Sequence, residues 1–241
     1  MFKEKTMAIP FIPCIKYRTV VYEDGTLILN ESSRDMVANR EAHGTELNIF
    51  DPMDEDHDYV FTNNAPWGDF MVAMFIKKVE VGSIMKPTST AYWFYGLRWC
   101  EEIDLTNLDT SETTDMTHMF GYLGYNRQVG NLDLRMLDTS NVTSMRDMFN
   151  HVYGAEVIDL SSFDTSDVTD FYGMFRYCNL TQTIYVSDSF VINTPAFYMF
   201  GDCYQLIGGL GTAYSYDHQD SEYARIDNPT TEPGYFTRRY S

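Results

Sequence analysis

The stretch Ile158-Asp159-Leu160-Ser161-Ser162-Phe163-Asp164-Thr165-Ser166-Asp167-Val168-Thr169-Asp170-Phe171-Tyr172-Gly173-Met174-Phe175 decides the fold, because its pattern recurs along the chain. Two further copies keep the same offsets and run over residues 103–120 and 132–149. Two degenerate copies flank them and end at Phe94 and Phe200. Copies this similar do not arise by chance, so the chain carries an internal repeat.

The period of the repeat predicts how the copies are arranged. The phenylalanines that end successive copies are separated by 26, 29, 26 and 25 residues, and a period in the twenties is typical of leucine-rich-repeat solenoids. Apolar-polar-apolar triplets such as Ile103-Asp104-Leu105 indicate one short strand per copy. The apolar spacing of residues 142–149 indicates a helical turn that returns the chain.

We therefore expect a repeat solenoid that is leucine-rich-repeat-like, with one short parallel strand and a helical turn in each of about five coils. The polar centres of the strands should lie side by side: Glu80, Asp104, Asp133, Asp159 and Tyr185. The repeated phenylalanines should form one buried stack.

The two ends do not repeat and are expected to cover the apolar faces of the end coils. Residues 19–22 and 26–29 predict a hairpin around Gly25. We expect a β-rich N-terminal cap over residues 1–75, the repeats over 76–207 and a C-terminal cap over 208–241. The alternative is that one end is a separate binding domain.

Composition limits the classes of partner. The chain has 17 Lys and Arg against 35 Asp and Glu, a net charge of -18. Such a field repels phosphate backbones and anionic lipids, so we expect no nucleic-acid partner. Residues 7–15 are the longest apolar stretch, which is too short to span a membrane and also makes a poor signal peptide, so we expect no membrane insertion.

The polar and thiol side chains of the repeat favour structural roles. The Asp-Thr-Ser steps can satisfy backbone groups where the chain bends. Cys178 and Cys203 each follow a Met-Phe pair by three residues, so they should stack in neighbouring copies, as a thiol column rather than a disulfide.

No motif for catalysis is recognisable, and we expect a protein that is not an enzyme and needs no cofactor. The five histidines have no metal-binding spacing. An acidic stretch begins like a calcium loop but has Tyr59 where such a loop needs glycine and Ala65 where it needs glutamate. We expect no metal there, with a weak calcium site as the alternative, using Asp51, Asp54, Asp56 and Asp58.

The strand pattern predicts a candidate binding surface. Alternate residues of a strand face opposite ways, so if Ile103 and Leu105 point inward, their polar neighbours point outward. The outward residues form a patch whose like charges repel and favour a cationic or hydrogen-bonding partner: Glu102, Asp104, Asp133, Arg135, Asp159 and Tyr185. The alternative is a solvated polar face.

A rival site lies between the second and third copies. Residues 121–130 make that copy three residues longer than its neighbours. The insertion should expose Tyr122, Tyr125 and Arg127, which are residue types that contribute strongly to protein interfaces.

The repeated residues resemble the BspA-like leucine-rich-repeat surface proteins of bacteria, and residues 158–175 follow that family's pattern closely. The resemblance extends over most of residues 76–236. It implies a non-catalytic scaffold for adhesion or protein binding at the bacterial cell surface or outside the cell, with a host cell-surface component as partner. The alternatives are a phage virion or assembly component, made in the cytoplasm without a signal peptide and contacting neighbouring virion subunits, and a carbohydrate-binding module.

Overall fold

A computed structural model describes residues 17–32, 36–43, 45–50, 73, 75–126, 129–228 and 230–239. The acidic stretch with the four calcium-loop aspartates lies outside the described residues, as do Cys14 and Arg127. The described elements, in chain order, are β1 Tyr17–Tyr22, β2 Thr26–Ser32, α1 Met36–His43, β3 Glu46–Phe50, β4 Lys78–Val81, β5 Glu102–Asp104, β6 Gly130–Asp133, β7 Ala155–Leu160, β8 Thr183–Val186, a 3-10 helix Ser221–Tyr223 and β9 Phe236–Arg238.

The first sheet joins the N-terminal region to the first two copies of the repeat. Its strand order is β3-β1-β2-β4-β5. Strands β1 and β2 are antiparallel, so the predicted hairpin is confirmed, and Gly25 in its turn has a φ of 92°. Strands β2, β4 and β5 then run parallel, with Leu27 beside Val79 and Val79 beside Ile103.

The second sheet joins the later copies to the C-terminal region. Its order is β6-β7-β8-β9, and all neighbours are parallel. Buried apolar residues lie next to one another across it: Leu132, Ile158, Ile184 and Phe236.

The predicted row of five strand centres is wrong, because the ladder is broken in the middle. Glu80 pairs with Asp104, and Asp133 pairs with Asp159, which pairs with Tyr185. No ladder joins β5 to β6 among the described residues. The break coincides with the insertion, whose last residue, Gly130, has a φ of 72° at a shift in register.

The segments that return the chain are turns. We call them the turn segments: residues 90–97, 116–123, 145–152, 171–178 and 196–203. Along 145–152, the N–H groups of Met148, Asn150 and Val152 donate to the carbonyl three residues earlier. The N–H groups of the residues between them donate to carbonyls of the next copy, for example Phe149 to Met174 at 2.9 Å.

The predicted fold class, a leucine-rich-repeat-like solenoid with a helical turn per coil, is therefore wrong. The described residues form a β-rich domain with two separate sheets, and no residue of the turn segments is helical. An α-helix uses each N–H for its own chain, four residues back. Here every second N–H is given to a neighbouring copy, which a helix does not allow.

The predicted phenylalanine stack is confirmed. Phe149 lies between Phe120 and Phe175, with ring centroids 5.6 Å away on each side and rings nearly parallel. Phe94 and Phe200 extend the stack at 5.4 and 5.7 Å. All five rings are fully buried.

Buried threonine hydroxyls join one copy to the next where the strands have ended. Thr139 Oγ1 donates to the Asp164 carbonyl at 2.8 Å and accepts from the Asp164 N–H at 2.9 Å. Thr110 and Thr165 make the same pair of bonds in their copies. The preceding aspartates accept the N–H two residues later, so the structural role predicted for the Asp-Thr-Ser steps is confirmed.

The cysteines that follow the stack are free and buried, as predicted. Cys178 donates through its thiol to the Phe149 carbonyl at 3.1 Å, and Cys203 donates to the Phe175 carbonyl at 2.9 Å. Burial raises the pKa of the Cys178 thiol to about 12, so it stays protonated and unreactive.

Within the described part of the chain, no helix has the length and apolar character needed to cross a membrane.

Replacing the central ring of the stack should destabilise the whole protein. We expect Phe149→Ala to lower the free energy of unfolding by about 3–5 kcal/mol, because the cavity lies between two rings that cannot collapse into it. Urea denaturation measures this. Met136→Ala, at a side chain that is 48% exposed, is the control and should change stability little. An unchanged midpoint for Phe149→Ala would contradict the stack.

Removing one of the buried threonine hydroxyls that join neighbouring copies should lower the free energy of unfolding, even when the replacement side chain has the same shape. Thr139→Val keeps the shape but leaves the N–H and carbonyl of Asp164 without their buried partner, so we expect a loss of about 1–3 kcal/mol. Thr143→Val is the matched control, because the Thr143 hydroxyl is exposed and water can replace it. Equal effects of the two variants in denaturation would show that burial of the joint is unimportant.

Candidate functional site

The predicted strand patch is divided, and its charges are paired within the chain. On the first sheet, Glu102 and Glu80 both pair with Lys78, at 2.8 and 3.2 Å. Asp104 accepts hydrogen bonds from the N–H and hydroxyl of Thr106, which lower the pKa of its carboxyl. These carboxylates therefore already have partners.

On the second sheet, two arginines neutralise the acidic column. Arg135 pairs with Asp133 at 2.6 Å and approaches Asp159 at 3.6 Å. Arg239 pairs with Asp159 at 2.8 Å and places its guanidinium 4.9 Å from the Tyr185 ring centroid. The repulsion that pointed to a cationic partner is thus relieved by the chain itself. Sequence reasoning missed Arg239, because it reaches this strand from the far end of the chain.

The turn segments and the residues beside them carry a second surface, which contains the two described residues of the rival site. We call it the aromatic face: Tyr92, Tyr95, His118, Tyr122, Tyr125, His151, Tyr153, Tyr172, Tyr177 and Tyr198, with Arg98, Arg146 and Arg176. Tyr122 and Tyr125 of the insertion belong to it.

Three rings form the centre of the aromatic face. His151 lies between Tyr122 and Tyr177, with its centroid 4.2 Å from each ring. The edge of Tyr153 packs on Tyr125 at 4.4 Å. In the neighbouring copy, His118 stacks on Tyr92 at 4.9 Å and meets Tyr95 edge-on. His151 therefore has both of its ring faces covered, and His118 has one of its ring faces against Tyr92.

These side chains stand on strained backbone. Each turn segment has two residues with positive φ, at the third position of consecutive four-residue turns, where glycine is strongly preferred. Glycine occupies this position at Gly96 and Gly173. Eight other residues have φ between 50° and 62°, and they are Tyr92, His118, Tyr122, Asp147, His151, Tyr177, Tyr198 and Asp202.

A buried polar cluster supports the aromatic face from below. Asp147 is buried and contacts Asn150 Nδ2, His118 Nε2 at 3.5 Å and Arg146 Nε at 3.7 Å. Its carboxylate occupies the space where a side chain on Gly173 would begin, so the next copy requires glycine there. Asn150 in turn hydrogen-bonds to His151 Nδ1. The orientation of His151 is thus linked to a carboxylate under the surface.

Other features of the described residues offer less chemistry. They contain no group of three His, Cys, Asp or Glu side chains that could hold a metal ion. A groove of about 840 Å³ runs along residues 187–197 and 220–226. Its carboxylates are engaged: Asp188 with Arg238, Asp220 with the Tyr198 N–H and Glu222 with His218.

Comparison with known proteins places the aromatic face within a family. The family model described as "Mycoplasma protein of unknown function, DUF285" matches residues 88–208, which include every residue of the aromatic face. Neither the curated proteins nor the solved structures contain a significant match to this chain.

The half-buried histidines His118 and His151 should make stability depend on pH. Burial lowers the pKa of His118 and His151, and the positive charges of Arg176 and Arg98 lower that of His151 further, against the opposing effect of Asp147. As the pH falls below about 6.5, the ordinary pKa of histidine, the unfolded chain takes up protons at these two side chains while the folded chain does not. Stability should therefore fall as the pH drops from there through the lowered pKa values.

His151→Phe tests this, since phenylalanine keeps a stacked ring without a titrating group. Urea denaturation at about pH 7.5 and about pH 5.5 should show a smaller loss for the variant than for the wild type. Parallel losses in the two proteins would exclude a contribution from His151.

Proposed function

The chain belongs to the family described as Mycoplasma protein of unknown function, DUF285, and we propose that it is a non-catalytic protein-binding scaffold whose contact surface is the aromatic face. One observation carries the proposal. Tyrosine and histidine side chains are held at positive-φ positions that glycine would occupy without strain.

The strain is large enough to need an explanation. A left-handed conformation costs about 1–2 kcal/mol for a residue with a Cβ. Gly96 and Gly173 occupy two of these positions, so the turn segments themselves accept glycine. The tyrosine and histidine side chains at six of the other positions therefore serve something besides the fold, and strained residues cluster at active sites and ligand-binding sites.

The chemistry of the aromatic face favours a protein partner. Tyrosine and arginine are enriched among the residues that contribute most to protein interfaces, and tyrosine brings a large amphipathic contact area with little conformational entropy to lose. Here the rings are already fixed by stacking, and Tyr125 and Tyr198 are 37% and 49% exposed. Sugars prefer an open ring face to stack on, and at the centre of this surface one face of Tyr122 and one face of Tyr177 are covered by His151. A protein is thus favoured over a carbohydrate.

The cellular setting of the proposal comes from the resemblance to BspA-like surface proteins. That resemblance supports adhesion at a bacterial surface, with a host cell-surface component as partner. The alternative setting is a virion, in which the same aromatic face would contact a neighbouring subunit. Both settings require a protein contact and no turnover.

Two variants of one residue separate strain from binding. Tyr177→Gly and Tyr177→Ala both remove the ring, so both should lower affinity by about tenfold or more for peptides that wild-type protein selects from a random displayed library. They should differ in stability, with Tyr177→Gly more stable than Tyr177→Ala by about 1 kcal/mol, because only glycine relieves the positive φ. Titration of the selected peptides and urea denaturation measure the two effects.

The strand patch supplies the control for that experiment. Tyr185→Ala removes a ring from the second sheet, away from the turn segments, and should leave the affinity of the same peptides unchanged. Affinity that falls with Tyr185→Ala and survives Tyr177→Gly would move the site to the strand patch and overturn the proposal.

A further inference from the structure

Building on the proposed function, we infer that the partner presents an acidic peptide segment, whose carboxylates bind Arg98 and Arg176 on the aromatic face. This assigns a ligand chemistry to a surface that is otherwise defined only by its rings. Two observations support it: the positions of the two guanidinium groups beside the rings, and the absence of an ion pair to either group among the described residues.

The two arginines bracket the central rings. The Arg98 guanidinium lies 5.0 Å from the ring centroids of both Tyr122 and Tyr125. Beyond Tyr122 come His151 and Tyr177. The Arg176 guanidinium lies 4.7 Å from Tyr177 and 5.2 Å from Tyr198. One cation therefore lies at each end of the stacked rings.

Neither guanidinium forms an ion pair with a carboxylate in the part of the chain that the structure describes. Several other arginines behave differently, since Arg146 on the same face and Arg135, Arg238 and Arg239 at the second sheet all pair with aspartates. In a chain with 35 acidic residues and 17 basic ones, carboxylates are plentiful, yet these two cations are held by rings instead. A carboxylate from a partner would give each of these two guanidinium groups an ion pair.

The fold keeps Arg176 ready for such a contact. A Cβ on Gly201 would lie 3.1 Å from the Arg176 Cγ, a tight contact, so glycine there gives the arginine more room to lie across the rings. One guanidinium nitrogen, Nη2, donates to the Tyr177 hydroxyl at 3.0 Å. Nε is buried without a hydrogen-bond partner, so the donors left for a carboxylate are Nη1 and the second hydrogen of Nη2, at the outer edge of the guanidinium fork.

The net charge of -18 does not prevent an acidic segment from binding here. At physiological ionic strength the Debye length is about 8 Å, so a bound segment senses mainly the charges nearest to it. The cations nearest to it on the aromatic face are the two arginines. The carboxylates around them are engaged within the chain: Asp147 with His118 and Arg146, Asp170 with Arg146, and Asp202 with the Tyr204 hydroxyl. The lowered pKa of His151 has Arg176 and Arg98 among its causes, which places both cations close to the central ring.

Three labelled synthetic peptides of one sequence test the inference. Each carries two tyrosines and four variable positions, filled with Glu, Gln or Lys. We expect fluorescence anisotropy to give the Glu peptide about tenfold higher affinity than the Gln peptide and the Lys peptide the lowest affinity. Raising the salt concentration should weaken the Glu peptide and spare the Gln peptide, which requires no variant protein.

Variants then assign the effect to residues. Arg98→Gln with Arg176→Gln should abolish the preference for Glu over Gln, and Arg98→Lys with Arg176→Lys should retain part of it. Arg135→Gln, which removes a cation already paired with Asp133, should leave the preference intact.

The outcomes separate this inference from the proposed function. Equal affinity for the Glu and Gln peptides overturns the inference and leaves a protein-binding face standing. A preference for Glu that survives Arg98→Gln with Arg176→Gln overturns the assignment to these residues. Tighter binding of a heparin fragment than of the Glu peptide, lost in the same double variant, overturns the acidic peptide in favour of a sulfated sugar. No binding by any of the peptides overturns both.

Discussion

The hydrogen bonding of the turn segments is the constraint on which the rest of this structure depends. Every second N–H closes a turn within its own copy, and the N–H groups between them reach the next copy. In the last segment the neighbour is the C-terminal region, where Phe200 donates to Gln219. This alternation fixes two positive-φ positions per segment. It points the phenylalanines into the core and leaves side chains such as His151 and Tyr177 on the aromatic face.

The core could be predicted from sequence because its signal does not depend on the type of secondary structure. Phe120, Phe149 and Phe175 recur at one offset, and any regular stacking of copies brings them together. The type of the returning segment could not be predicted in the same way. Apolar residues three and four apart fit an α-helix and also fit consecutive turns that bury every third or fourth residue. Gly173, which occupies the position of Asp147 in the preceding copy, was the overlooked sign of a positive φ.

For the candidate site, too, residues that stand out in the local sequence could be predicted, and contacts between distant residues could not. Tyr122 and Tyr125 were identified from the length of the insertion, which a comparison of copies reveals directly. The aromatic face as a whole was missed, although aligning the copies places Tyr92 with His118 and Tyr122 with His151 and Tyr177. The pairing of Asp159 with Arg239 could not be found, because the two residues are 80 apart in sequence and Arg239 follows a strand that joins the sheet on the far side of β8.

Within each copy, the groups that hold the fold together are different from the side chains that form the aromatic face, and this explains how a repetitive fold carries a specific surface. Copies are held together by main-chain bonds, buried phenylalanines and threonine joints, none of which uses the outward side chains of the turn segments. Those side chains can therefore differ from copy to copy, as Tyr122, His151 and Tyr177 do, while the backbone stays the same. The residue type at these positions is limited only by contacts with the neighbouring copy. Asp147 fills the space above Gly173, and Arg176 fills that above Gly201, so a change of chemistry in one copy requires a matching change in the next. The aromatic face is consequently shaped by pairs of adjacent copies rather than by single residues.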